Sequence, residues 1–132
     1  MLDAGINYID TSIDYCLSEE RIGRAISHRR SEYLLASKCG CLAGTQSEGS
    51  GREFPHVFTA ENVIAGVNQS LARMKTDYLD LVQFHHSPSK AQLEEHGGLQ
   101  ALQDLQKLGK VRFIGMSGTI PNLSEQIEMG AF

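Results

Sequence analysis

The sequence predicts an α/β fold built on a parallel sheet, and three observations carry that prediction. Short apolar runs rich in β-branched and aromatic residues recur four times along the 132 residues. A stretch with helical periodicity follows each of them. The runs do not alternate cleanly between apolar and polar, which is the pattern of strands covered on both faces. Successive βα units pair their strands in parallel, because each helix returns the chain to the same end of the sheet.

The predicted strands are Ile6–Asp10, Tyr33–Lys38, Tyr78–His85 and Val111–Met116. After the first, Ser18 is placed to cap a helix running to about Ser27, with Glu19 and Glu20 favourable in its first turn and Ile22, Ala25 and Ile26 as its apolar stripe. The second helix is the clearest. Thr59 suits its N-cap, and Ala60, Val63, Ile64, Val67, Leu71 and Met74 fall on one face. Arg73 and Lys75 stand at its C-terminal end, where the helix dipole favours cations. A third helix carries Leu99, Leu102, Leu105 and Leu108 and stops at Gly109, a residue suited to the left-handed position after a helix. Asn122 and Glu125 have the spacing of a capping box for a fourth. From Gly40 to Phe58 no periodicity appears, and glycines stand at 40, 44, 49 and 51. That reads as a surface loop, and loops of such length are usually functional or mobile.

Composition narrows the function classes. Hydrophobic residues make up 41% and charged residues 21%, the balance of a soluble globular domain. The net charge of -4 and the lack of a basic stripe argue against nucleic acid and anionic membranes as partners. No apolar run approaches the roughly 20 residues that span a bilayer. The first residues lack the basic head and apolar stretch of a secretory signal. Three cysteines, at 16, 39 and 41, suit reduced thiols in a cytoplasmic protein better than a disulfide framework. Cys39 and Cys41 also lack the C-x-x-C spacing of a zinc site. No cysteine or carboxylate pattern along the chain completes a site around His85 and His86, so no metal is expected.

The polar chemistry collects at strand ends. Asp10, Lys38, His85 and Ser117 close the four predicted strands, where α/β sheets build their sites. Two residues back on the same faces lie Tyr8, Ala36, Gln83 and Gly115. In a sheet curled into a barrel, Asp10, Lys38 and His85 converge at one mouth, with Tyr15 in the loop above it. Each residue alone has a plain structural explanation: an Asp caps a turn, a Lys is solvated, a His is a satisfied polar group, a Tyr packs on a helix. Their joint placement is what points to a site.

Four stretches together resemble the aldo-keto reductases. They are Gly5-Ile6-Asn7-Tyr8-Ile9-Asp10-Thr11-Ser12 with Tyr15 and Ser18-Glu19-Glu20; Ala36-Ser37-Lys38; Thr76-Asp77-Tyr78-Leu79-Asp80-Leu81 running to His85; and Gly109-Lys110-Val111-Arg112-Phe113-Ile114-Gly115. The resemblance implies a partial (β/α)8 TIM-type barrel, with these strands as its second to fifth. It implies NADPH, or NADH, as cofactor and a small-molecule carbonyl as substrate, in an enzyme that transfers hydride to an aldehyde or ketone. It also implies a catalytic tetrad of Asp10, Tyr15, Lys38 and His85: Tyr15 as proton donor, Lys38 as the cation beside it, Asp10 holding Lys38, and His85 orienting the carbonyl. His85 fits the pattern better than His86, because it directly ends its strand. Asp10, Ser117 and Gly118 fall at cofactor-binding positions.

The chain departs from the family in two places. Gly118 stands where many members have Asn after the serine, and Cys16 where Gly commonly follows the tyrosine. The family barrel runs to about 250 residues, so 132 residues read as one incomplete barrel domain, with the first strand and the C-terminal half absent. Such a half-barrel is expected to turn over little or nothing by itself. An alternative is a non-catalytic regulatory or binding subunit on the same barrel. A flavodoxin-like module lacks support, since no Gly-rich phosphate loop follows the first strand.

Overall fold

A computed structural model describes residues 1–44 and 55–132, and all structural statements concern these residues. Most of the predicted Gly40–Phe58 loop lies outside them. Four strands form one sheet in the order β1-β2-β3-β4, every neighbouring pair parallel. They are β1 (Tyr8–Asp10), β2 (Leu34–Cys39), β3 (Leu79–His85) and β4 (Val111–Ser117). Between and after them run the helices α1 (Ser18–Ala25), α2 (Ala60–Met74), α3 (Lys90–Glu95), α4 (Gly98–Lys107) and α5 (Asn122–Glu128).

One face of the sheet makes the core. Ile9, Leu35, Val82 and Phe84 pack there against Val63, Val67, Leu71 and Met74 of α2 and Leu102 and Leu105 of α4. On the opposite face Tyr8, Leu34 and Phe113 are among the exposed large apolar residues. Strand register sorts the polar residues onto that second face. Asp10 pairs with Ala36, Lys38 with Gln83, and His85 with Ser117. Side chains in register on parallel strands point the same way, so Asp10, Lys38, His85 and Ser117 share a face and an end.

Several local expectations change. The first strand begins at Tyr8 rather than Ile6. Ser18 is the first residue inside α1, not its cap, and its hydroxyl accepts from Thr11 at 2.8 Å. Glu19 is no solvated first-turn charge. It is 1% exposed and takes hydrogen bonds from Ser37 (2.8 Å) and Ser70 (2.6 Å), with Arg73 3.4 Å away. A buried carboxylate needs such partners, and these three tie α1 to β2 and α2. Ile64 turns outward from α2, and Leu108 lies beyond the end of α4, both exposed. Asn122 opens α5 without capping it and donates instead to the Ser87 carbonyl at 2.7 Å. An additional helix, α3, precedes α4 and is closed by a Ser89–Gln92 capping box.

Thr59 does cap α2, accepting from Asn62 N. Gly109 does adopt the left-handed conformation, at φ 76°. At the N-terminal end of the sheet, Asp80 accepts from Leu35 N (2.9 Å), Arg30 (2.5 Å) and Arg112 (2.7 Å). Burial pushes its pKa up, but those three donors outweigh it and leave the carboxyl below its usual range. This network stands away from the strand ends that carry the site, and it joins β2, β3 and β4.

Candidate functional site

The site is built on the turn after β1. Lys38 leaves β2 toward the shared end with only 4% of its side chain exposed. Its ammonium donates to Asp10 Oδ2 at 2.6 Å and to the Thr11 carbonyl at 2.9 Å. These bonds replace the water that burial removes. The turn Ser12–Ser18, held by Tyr15 N to Ser12 O and Ser18 N to Tyr15 O, brings the Tyr15 ring over the same ammonium, 4.8 Å from Nζ to the ring centroid. Tyr15 remains 43% exposed. Cys16, just after it, has φ 50°. That left-handed conformation is one glycine adopts without strain, which is the physical sense of a glycine at this position.

His85 closes β3, and its ring stands edge-on to Tyr15 with centroids 6.0 Å apart. His86 is the residue at which the chain leaves the strand, at φ 63°. Three groups gather at His85 Nδ1: Cys41 Sγ at 3.2 Å, Ser12 Oγ at 3.4 Å and Asp14 Oδ2 at 3.4 Å. Burial pushes the Asp14 pKa up, yet hydrogen bonds from His85 and Ser12 and the attraction of His85 hold it well below the usual carboxylate range. Burial, reinforced by the Asp14 charge, pushes the Cys41 thiol up to about 12. Cys16, Cys39 and Cys41 form no disulfide.

The stems of the long loop reach this point as well. Cys41 and His56 form an antiparallel bridge, and Val57 N donates to Gly40 O at 2.7 Å. Asn62 on α2 pins both stems, donating to the carbonyls of Cys41 and Val57 and accepting from Ala43 N. His56 thereby lies against His86, with ring centroids 3.9 Å apart and the planes tilted by 54°. Along the chain nothing completes a site around His85 and His86. In space Asp14 and His56 come up to them, and Cys41 Sγ stands beside His85.

A cleft of about 410 Å³ opens beside His85, lined also by His86, Ser87, Ser117, Gly118 and Thr119. Its size is that of ordinary small-molecule sites. Gly118 makes the wall tight: a Cβ there would stand 2.4 Å from Ser87 Oγ and 3.1 Å from His86 O. An asparagine on this backbone would require Ser87 or its surroundings to shift. Ser117 keeps its position, in register with His85. A larger groove of about 660 Å³ lies between α3 and α5 among Glu94, Glu125, Glu128 and Lys90, remote in chemistry from the strand ends. The structure thus brings together Asp10, Tyr15, Lys38 and His85, and sets Ser117 and Gly118 at the adjoining cleft. Sequence reasoning missed Ser12, Asp14, Cys41 and His56.

The class this fold and site define is recognisable in other proteins. The profile of the Aldo/keto reductase family matches residues 1–130. The uncharacterized oxidoreductase YqkF of Bacillus subtilis is 34% identical over 127 residues, covering 95% of this chain and 40% of its own. L-galactose dehydrogenase of Arabidopsis thaliana is 37% identical over 127 residues, covering 86% and 34%. The holo form of aldo-keto reductase AKR11C1 from Bacillus halodurans superposes with a TM-score of 0.80 at 30% identity, covering 95% of this chain and 41% of that one.

The chain belongs to the aldo/keto reductase family. Its four parallel strands and interleaved helices are part of a (β/α)8 barrel. It spans between a third and two fifths of the length of these relatives. No helix among the described residues is long and apolar enough to cross a membrane.

Proposed function

We propose that the whole protein is a nicotinamide-dependent carbonyl reductase in which Tyr15 delivers the proton. The observation that carries this reading is the buried Lys38 ammonium, held by Asp10 and the Thr11 carbonyl beneath the Tyr15 ring. NADPH, or NADH, supplies the hydride when bound. Ser117 and the exposed side of Asp10 would hold its nicotinamide end; the open cleft that Ser117 lines beside His85 supports this.

The chain's own residues then do three things. His85 is oriented through Nδ1 by Ser12 and Asp14, which leaves Nε2 as the nitrogen to meet a carbonyl oxygen. As hydride reaches the carbonyl carbon, the π pair moves onto oxygen, and Tyr15 Oη gives that oxygen its proton. Lys38 stabilises the negative charge left on the phenol, and Asp10 keeps the ammonium in place. Relatives named for work on sugars, such as L-galactose dehydrogenase, make an aldose or its oxidised form a reasonable first substrate screen.

The test is cofactor oxidation by the full-length protein with a reactive aldehyde. Tyr15→Phe is expected to lower kcat by about 100-fold or more with the fold retained. Undiminished turnover in Tyr15→Phe removes the reading.

A further inference from the structure

Beside the strand ends stands a group of side chains that the reductase reading uses only in part. Asp14, His56, His85 and His86 each offer one donor atom, and the four atoms all lie within 4.8 Å of one another. They come from the β1 turn, the returning stem of the long loop and the end of β3. We infer that this group is a binding site for one borderline divalent transition-metal ion, of which zinc is the representative.

The donor chemistry selects the ion class. Three imidazoles and one carboxylate suit zinc, nickel, copper or cobalt, whereas magnesium and calcium want oxygen donors. A thiol adds to that bias, since Cys41 Sγ stands 3.2 Å from His85 Nδ1 and 3.7 Å from His56 Nε2. The spacing is close to coordination geometry already. A tetrahedral zinc with metal–nitrogen bonds of about 2.1 Å sets its ligands about 3.4 Å apart. Asp14 Oδ2 and His85 Nδ1 are 3.4 Å apart. The widest pair, at up to 4.8 Å, needs a side-chain rotation to close.

Two further observations point to a ligand here. Asp14 Oδ1 is buried and has no hydrogen-bond partner among the described residues, an arrangement that costs stability unless something fills it. His56 and His86 stand beside the Asp14–His85 pair, with His56 Nε2 also 3.7 Å from Cys41 Sγ. Their rings stand 3.9 Å apart and tilted by 54°, with His56 a further 5.5 Å from His85. Coordination around one ion accounts for all four together. The inference shares His85 with the reductase reading but uses its Nδ1, whereas that reading gives Nε2 to the carbonyl.

The experiment is calorimetric titration of the intact protein with zinc chloride at neutral pH, a readout that needs no activity. One zinc per chain is expected, with a Kd of about 1 μM or tighter. The double variant His56→Gln/His86→Gln is expected to weaken binding by about 100-fold, and Asp14→Asn by about 10-fold. The variant His28→Gln/His96→Gln removes the two remaining histidines and is expected to bind as the parent does. Cobalt in the unaltered protein gives a second readout, with the strong visible bands of a four-coordinate ion expected. Zinc binding weaker than about 1 mM, binding that survives the His56/His86 change, loss of binding in the His28/His96 variant, or the weak spectrum of six-coordinate aqueous cobalt would each overturn the site.

Discussion

Lys38 and Asp10 form an unequal ion pair: Nζ lies 2.6 Å from Oδ2, but the lysine side chain is 4% exposed and the aspartate side chain 40%. The cation is inside the protein and the anion at its surface. The pair therefore holds a charge in place more than it strengthens the fold.

That asymmetry sets an expected outcome. Asp10→Asn leaves a buried ammonium with a neutral neighbour and the Thr11 carbonyl. Breaking a fully buried pair costs about 3–5 kcal/mol. Solvent already screens this aspartate, so about 1–2 kcal/mol is expected. Adding Lys38→Met removes the stranded charge, and the double variant should regain about 1 kcal/mol over the sum of the single changes. Urea unfolding of the four proteins measures this. Strict additivity would show that the pair carries no coupling.

Asp80 gives a pH dependence whose sign follows from its lowered pKa. In the unfolded chain the carboxyl titrates near its ordinary value of about 3.9. In the folded chain it holds its charge to lower pH, through Leu35 N, Arg30 and Arg112. The stabilisation is fully present above the unfolded value and is lost as pH falls through the folded one. Unfolding free energy should thus decline with acidification from about pH 5 downward. Asp80→Asn should make that decline shallower without abolishing it, because Asp14 is lowered too and acts in the same direction. Denaturant titrations at stepped pH are the measurement, and an unchanged slope in Asp80→Asn would contradict the assignment.

These two carboxylates also mark what a sequence can and cannot disclose. The strands were legible because β-branched and aromatic runs end in polar residues, and strand register then carries Asp10, Lys38, His85 and Ser117 to one end. Glu19 was not legible. Its partners Ser37, Ser70 and Arg73 lie 18, 51 and 54 residues away, and periodicity says nothing of such distances. The helix α3 had a readable signal in the Ser89-x-x-Gln92 capping box, but its single buried apolar residue, Leu93, gives no stripe. The surroundings of His85 were hidden for a third reason. Asp14, Cys41 and His56 sit on turns and loop stems, whose paths depend on contacts such as those of Asn62.

Gly118 supplies the last expected outcome. The family habit of an asparagine here suggests that Gly118→Asn would restore a cofactor contact, but the local packing argues otherwise. Ser87 Oγ would meet the new Cβ at 2.4 Å, and it cannot simply rotate away, because it accepts from Thr119 N at 2.5 Å and donates to Thr119 O at 3.2 Å. Behind it the His86 carbonyl, at 3.1 Å, belongs to the backbone. Overpacking of this kind costs about 1–3 kcal/mol. Gly118→Ala and Gly118→Asn should both lower the unfolding midpoint, and Asn should weaken cofactor binding in the full-length protein. A Gly118→Asn protein with unchanged stability and tighter cofactor binding would mean that the Ser87–Thr119 contact yields without cost.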